Sequence, residues 1–164
     1  MKNNNVITHS TLNQGYDFFI TDKWKKKYHF KILTFNVPSG VFSEAIEVIK
    51  YKRESANEPR IFHVLADFDA DIENTELLLK AKIKKGINKR YLNYKNGIPS
   101  ICDDMKITGR ILSGDQPMDS QFDYYFAIDG KKISIENFLE MLDCVVGYNF
   151  KFQILDTCED IDDD

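Results

Sequence analysis

The stretch 122–155 carries the strongest local folding signals in the chain. Its first part alternates between apolar and more polar positions, and a period of two places every second side chain on one face of a strand. The apolar positions are Phe122, Tyr124, Phe126 and Ile128. Asp129-Gly130 follows, and this pair suits the positive backbone angles of a type I′ turn. We therefore predict a strand that ends in a tight turn.

A helix with its own start and stop signals is predicted after this turn. Ser134 is a good N-cap, because its hydroxyl accepts a hydrogen bond from an amide of the first turn. Ile133 and Phe138 have the spacing of a hydrophobic staple, and Gly147 suits the left-handed end of a helix. The apolar residues at helical spacing are Ile135, Phe138, Leu139, Leu142, Val145 and Val146. They predict an amphipathic helix over about 135–146.

Beyond Gly147 the apolar period returns to two. The apolar positions are Tyr148, Phe150, Phe152 and Ile154, and they alternate with Asn149, Lys151 and Gln153. This pattern predicts a half-buried strand whose apolar face is covered.

The stretch from Ile128 to Lys151 resembles the C-terminal signature of a group of small bacterial domains that have no assigned activity. The matching parts are the Asp129-Gly130 turn, the apolar helix that contains Phe138, and the run from Gly147 onward. Residues 68–92 are similar to the part that precedes this signature, in which an acidic strand end leads into a helix rich in Leu and Lys. The resemblance implies a fold and a bacterial origin, and it implies no functional residues.

The length and composition of the chain indicate one folded domain between two polar tails. A chain of 164 residues with 43% hydrophobic residues can form one proper core. We predict a flexible N-terminal tail at 1–14, a single α+β domain at 15–156 and an acidic, disordered C-terminal tail at 157–164. The last prediction follows from the density of like charge at this end of the chain.

The fold class predicted from these elements is α+β, with a mostly antiparallel sheet and two helices packed on it. The first helix is predicted at about 72–85, with acidic residues in its first turns, lysines in its last turn and Gly86 as its stop. The second helix is predicted at about 135–146. Residues 41–52 fit both a strand and a helix, and their β-branched residues favour the strand.

The cysteines and the absence of long apolar runs predict a cytoplasmic protein. Cys102, Cys144 and Cys158 form a sparse and odd set without Cys-x-x-Cys spacing, which favours reduced thiols over a disulfide framework. The N-terminus lacks the apolar run of a signal peptide, and no segment is long enough to span a bilayer.

Asp67, Asp69 and Asp71 form the densest acidic cluster before the tail. Asp67 and Asp69 point to the same side if they lie on a strand, so they are candidates for binding a divalent cation. An EF-hand loop that starts at Asp67 fails, because Ile72 and Leu78 stand where glycine and glutamate are needed. The alternative is a strand end followed by acids that favour a helix start.

The remaining reactive side chains lack the spacing of a catalytic or metal site. His9, His29 and His63 are the only histidines, and strand pairing is the one way to bring His29 near His63. Cys102 precedes two acids that would raise the pKa of its thiol. We therefore assign no catalytic residues, no metal ligands and no cofactor.

Two clusters of basic residues make a nucleic-acid surface an alternative. One lies at 23–27 around Trp24, and the other lies at 80–90 beside Tyr91. A fold that joins them would create a basic face with exposed aromatic rings. The opposing interpretation is a solvated helix face and an edge strand guarded by lysines.

These observations predict a non-enzymatic protein–protein interaction module whose partner is another protein, bound through a sheet edge or an aromatic patch. A net charge of −4 makes nucleic acid the less favoured partner and suggests a basic protein, such as a toxin or nuclease. A metal-dependent enzyme or metal-binding module using Asp67 and Asp69 is one alternative, and a nucleic-acid binder is the other. We expect no membrane association, and a homodimer formed through an unpaired sheet edge stays open.

Overall fold

The computed structural model describes residues 15–50, 56–114, 120–157 and 159. These residues form strands β1 (Tyr16–Thr21), β2 (Lys27–Val37), β3 (Gly40–Glu47), β4 (Ile61–Ala66), helix α1 (Ile72–Ile87), strands β5 (Leu92–Lys95), β6 (Ile98–Ile101), β7 (Arg110–Ser113), β8 (Tyr124–Ile128), β9 (Lys131–Ile133), helix α2 (Ile135–Leu142) and a 3-10 turn (Asp143–Val145). The predicted tail at 1–14 lies outside the described residues, as does most of the predicted tail at 157–164.

The described residues divide into two compact units. The first unit contains 15–49, 59–89, 156, 157 and 159. The second unit contains 50, 56–58, 90–114 and 120–155. Both units fall within the range 15–156 that the sequence predicts to be one domain, apart from the last residues of the first unit.

The first unit is a four-stranded antiparallel sheet with the order β1-β2-β3-β4 and with α1 against one face. Over residues 28–32, every second side chain of β2 points toward the helix. Tyr28, Phe30 and Ile32 are the residues on this side, and they are at most 5% exposed. Leu79 and Ile83 of α1 complete this core at 0% exposure. Residues 41–47, which fit both a strand and a helix by sequence, lie in strand β3. This is the alternative that their β-branched residues favoured.

Helix α1 starts as predicted and continues past its predicted stop. Asp71 is the N-cap, and its side chain accepts a hydrogen bond from the Asn74 amide at 3.3 Å. Gly86 lies inside the helix rather than ending it, and Asn88 is the C-cap. A methyl group on Gly86 would come 2.4 Å from the Phe62 ring, so this glycine serves the close approach of helix and sheet.

The second unit contains a two-stranded sheet, β5-β6, and a three-stranded antiparallel sheet, β7-β8-β9. The turn between β8 and β9 has φ angles of 53° at Asp129 and 73° at Gly130, as a type I′ turn requires. The Asp129 carboxylate also accepts hydrogen bonds from the amides of Tyr91 and Leu92, at 2.8 and 2.9 Å. This turn therefore also positions the start of β5.

Helix α2 begins at the predicted cap and is shorter than predicted. The Ser134 hydroxyl accepts a hydrogen bond from the Asn137 amide at 3.1 Å. Phe138 packs on Phe126 of β8 with ring centroids 4.6 Å apart. The α-helical part ends at Leu142, a 3-10 turn follows, and Gly147 has the expected positive φ of 93°.

The α+β class and the two helices are confirmed, with two corrections. The antiparallel strands form three sheets rather than one. The predicted strand at 148–154 is wrong for this structure, because these residues pair with no described strand. In residues 15–50, 56–114, 120–157 and 159, no helix has the length and apolar character needed to cross a membrane.

Candidate functional site

Residues 148–154, which we call the aromatic segment, expose all four of their apolar side chains. Tyr148 is 70% exposed, Phe150 91%, Phe152 65% and Ile154 71%. The sequence predicts that these side chains share a covered face, whereas the second unit by itself provides no cover for them. The segment is thus an apolar surface with the alternation of a strand.

Helix α2 leaves part of its apolar stripe exposed. Ile135 and Met141 are buried, while Leu139 is 53% exposed and Leu142 37% exposed. The predicted stripe needs cover along its whole width, and the short strands β6 and β8 that contact the helix cover only part of it. Val146, just after the 3-10 turn, is 81% exposed.

Strand β7 forms an open end of the three-stranded sheet. No other strand among the described residues pairs with its far side. Ile111 of β7 lies opposite Phe126 of β8, so both side chains point to the face on which α2 packs. Ile111 is nevertheless 50% exposed, because the sheet ends beside it.

The two basic clusters meet in part at one end of the first unit. The turn between β1 and β2 contains the cluster at 23–27, and the Lys23 amide donates to the Asn88 side chain at 2.6 Å. Asn88 caps the end of α1 that carries Lys84 and Lys85. Trp24 is 41% exposed, with the Lys23 ammonium 4.4 Å from the centre of its ring. The contact between Lys23 and Asn88 brings the two clusters to the same end of the first unit, which we call the basic end.

Other lysines of the second basic cluster have structural contacts. Lys80 lies 3.4 Å from the Glu76 carboxylate, and a hydrogen bond with Tyr16 is the main cause that raises the pKa of this lysine. The Lys82 ammonium donates to the His63 carbonyl at 2.8 Å. Because β4 is an edge strand, the charge of Lys82 lies where it discourages pairing of this edge with another chain.

The acidic cluster at 67–71 is arranged as a strand end and a helix start. Asp67 follows β4, its carbonyl accepts from the Ala70 amide at 2.9 Å, and Asp71 caps α1. Asp67 and Asp69 are both exposed. Among the described residues, no three His, Cys, Asp or Glu side chains are close enough together to hold a metal ion.

His29 and His63 lie on the same face of the first sheet, on strands separated by β3. Each has its own carboxylate partner: Asp17 lies 2.6 Å from His29, and Glu44 lies 3.0 Å from His63. Hydrogen bonds from Lys31 and then His29 lower the pKa of Asp17. Sequence reasoning missed these pairs, because strand register alone brings their members together. His9 lies outside the described residues.

The Cys102 thiol lies among groups that disfavour its ionisation. Burial is the main cause that raises its pKa, and Asp104, Asp129 and Asp103 raise it further. The sequence correctly predicts the direction from the neighbouring acids but misses burial and Asp129, which strand packing brings close. A thiol with a raised pKa forms less of the nucleophilic thiolate at neutral pH.

Comparisons with known proteins match the two parts of the chain to two separate families. Residues 13–88 match the family described as Domain of unknown function (DUF7686), and residues 91–159 match Domain of unknown function (DUF7713). The junction between the matches falls near residue 90, where the first unit ends and the second resumes. No curated protein and no solved structure matches the chain. The predicted resemblance to uncharacterised domains is confirmed: the chain is similar to one such family along each of its two parts.

Proposed function

We propose that the protein is a non-enzymatic interaction module that binds another protein molecule through the aromatic segment. The observation that supports this proposal is the exposure of Tyr148, Phe150, Phe152 and Ile154, between 65% and 91%, on a stretch with the period of a strand. Proteins commonly recognise each other by strand addition, in which an extended segment of one protein pairs with the sheet edge of another. Its alternate side chains then fill apolar pockets on the partner.

Binding at the aromatic segment is energetically favourable because it removes large apolar side chains from water. Burying one such side chain contributes about 1.5–3 kcal/mol relative to leaving it exposed. Four exposed apolar side chains within seven residues are the kind of feature that marks an interaction site on soluble proteins. A partner that covers them therefore recovers enough free energy to offset much of the entropy lost on association.

The test is the capture and re-binding of a partner with matched surface variants. The tagged wild-type chain, Phe150→Ser/Phe152→Ser and Leu77→Ser/Leu78→Ser are each exposed to extract of the native host. Leu77 and Leu78 are 62% and 58% exposed on α1, so the last variant is a control that removes equal apolar character elsewhere. A protein retained by the wild type is then purified, and its affinity for all three chains is measured by calorimetry.

We expect the aromatic-segment variant to weaken binding about 100-fold and the α1 control to bind like the wild type. Equal losses of affinity in both variants would show that binding depends on exposed apolar surface in general rather than on the aromatic segment. Unchanged affinity in the aromatic-segment variant would contradict the proposal directly.

We further propose that the module acts in the cytoplasm of a bacterium. Cys102 and Cys144 are free cysteines, which supports a reducing compartment. Labelling of a tagged chain in fractionated cells tests this location, and a signal in the periplasm or the medium would contradict it.

A second candidate function, nucleic-acid binding, has one observation in its favour. The contact between the Lys23 amide and Asn88 brings lysines of both clusters to one end of the first unit, beside the partly exposed Trp24. Lysines that track a phosphate backbone and an indole on which bases stack are the usual parts of a single-strand binding surface. The net charge of −4 opposes this function at long range.

A charge-matched pair of variants tests the second candidate. Lys84→Glu/Lys85→Glu changes the basic end, and Lys50→Glu/Lys95→Glu changes exposed lysines elsewhere by the same charge. If nucleic acid binds at the basic end, the first variant lowers the affinity for a single-stranded oligonucleotide about tenfold. It also makes the slope of log affinity against log salt concentration shallower by about two phosphate contacts. Equal effects of both variants, or no retention of the wild type on heparin at physiological salt, would exclude this function.

A further inference from the structure

We propose that the aromatic segment of one copy pairs with the open edge of β7 in a second copy, so that two copies exchange this strand. The inference rests on the proposed function, since it names the protein that the segment binds. The donor and the receiving edge both belong to the second unit, so every chain carries both.

The donor has the sequence pattern of a strand and lacks the sheet that such a pattern needs. Its apolar side chains occupy every second position, and Asn149, Lys151 and Gln153 occupy the positions between them. All seven residues are exposed and belong to no strand or helix in the structure. Pairing with a sheet edge would place the apolar set on one covered face and the polar set on the other.

The receiving edge offers a half-exposed apolar position beside which the donor could lie. Ile111 on β7 points to the same face as Phe126, and Phe138 of α2 covers Phe126 at 4.6 Å between ring centroids. A strand added beside β7 would set its aromatic side chains next to Ile111 and continue the sheet face on which α2 packs. The half-exposure of Ile111 marks where the present sheet ends.

The area and symmetry of the exchange suit a closed dimer. The four apolar side chains expose roughly 500 Å² per chain, given about 150–250 Å² for each large side chain. Reciprocal exchange covers about 1,000 Å², which reaches the lower bound of a specific interface. A reciprocal exchange about a twofold axis closes at two copies and pairs the β7 edge of each.

The first measurement is the mass of the purified chain in solution by light scattering over a range of concentrations. We expect a dimer for the wild type and about 100-fold weaker self-association for Phe150→Ser. Phe150 is 91% exposed in the isolated chain, so its replacement leaves the fold of the monomer intact. Leu77→Ser, at a 62% exposed position of the first unit, is expected to leave the dimer unchanged.

Disulfide trapping then identifies the edge and the copy that provides it. In chains whose own cysteines are replaced by alanine, Leu112→Cys is placed on one tagged chain. Asn149→Cys, Lys151→Cys or Gln153→Cys is placed on a chain with a different tag. Leu112 and these three positions lie on the face opposite the apolar one, and a disulfide needs Cβ atoms about 4 Å apart. We expect one of the three pairs to form a disulfide between the two tags.

Each outcome decides between exchange and its alternatives. A disulfide that forms only when both cysteines are on the same chain shows that the segment folds back onto its own β7, which overturns the exchange. A monomeric wild type that still binds a different protein through Phe150 keeps the proposed function and overturns this inference. A dimer that persists in Phe150→Ser overturns it as well. A chain that binds neither itself nor another protein overturns both.

Discussion

Each unit buries an apolar core, and the second unit also leaves an alternating apolar segment exposed. In the first unit, the 16-residue helix α1 lies on four strands, and Phe30, Ile32, Leu79 and Ile83 are 0% exposed. In the second unit, the eight-residue helix α2 accompanies three short strands, and Leu139 and the aromatic segment stay exposed. An apolar stripe specifies which face needs cover, whereas the size of the neighbouring layer decides whether cover is present.

The largest expected effect is the loss of a ring from the core of the first unit. Phe30→Ala removes a fully buried side chain that packs edge-on against Phe62, and we expect it to lower the free energy of unfolding by about 4 kcal/mol. Phe150→Ala removes the same atoms from an exposed position, so a change within about 0.5 kcal/mol is expected in dilute monomer. Urea titrations of both variants measure the contrast, and similar losses at the two positions would break the comparison.

The next effect concerns a polar contact that organises the second unit. Asp129→Ala removes the carboxylate that accepts from the amides of Tyr91 and Leu92, and it places alanine at a φ of 53°. We expect a loss of about 2 kcal/mol in the free energy of unfolding. Asp129→Asn keeps an acceptor oxygen and tolerates positive φ, so it serves as the milder control. Equal losses for both variants would show that charge alone, rather than the hydrogen bonds, matters here.

A smaller effect compares the two helix starts. Ser134→Ala removes the cap of α2, and Asp71→Ala removes the cap of α1, at a cost of about 1 kcal/mol each. We expect amide exchange in the first turn of the affected helix to become about fivefold faster. If Ser134→Ala accelerates exchange throughout α2 while Asp71→Ala affects only the first turn of α1, the shorter helix is the less stably held one. The reverse result would contradict the contrast between the units.

The smallest effect is the pH dependence of the Asp17 contacts on the open face of the first sheet. Hydrogen bonds from Lys31 and His29 lower the pKa of Asp17 in the folded chain. A carboxylate with a lowered pKa stabilises the fold above its ordinary pKa of about 4, and this contribution is lost as the pH falls through the folded value. The Tm of Asp17→Asn is therefore expected to lie slightly below that of the wild type at pH 7 and to equal it near pH 2. A constant difference across this range would show that the contacts do not depend on ionisation.

Local chemistry was sufficient to predict much of the fold. Ser134, the Asp129-Gly130 turn and the acids before α1 act within a few residues of chain, so their roles can be interpreted without knowing the tertiary structure. The strand at 40–47 was also predicted, because β-branched residues prefer extended backbone. Gly86 was wrongly predicted to end the helix. Its lack of a side chain instead makes room for the ring of Phe62, which is distant in sequence.

Long-range pairing was beyond prediction. The carboxylate partners of His29 and His63 come from neighbouring strands, and their meeting depends on register. Likewise, the contact of Lys23 with Asn88 joins positions 65 residues apart. The alternation at 148–154 predicted a strand that the structure does not contain, because the pattern holds no information about which sheet would receive it.

The chain itself determines where each element begins, which side chains are apolar and where turns reverse its direction, because these properties depend on neighbouring residues. Only the tertiary structure decides which apolar faces find cover, because cover is supplied by residues far away in sequence or by another molecule. In the first unit that cover is complete around Phe30, and in the second unit it is missing along the aromatic segment. This exposed segment is therefore the surface to which our proposal assigns binding.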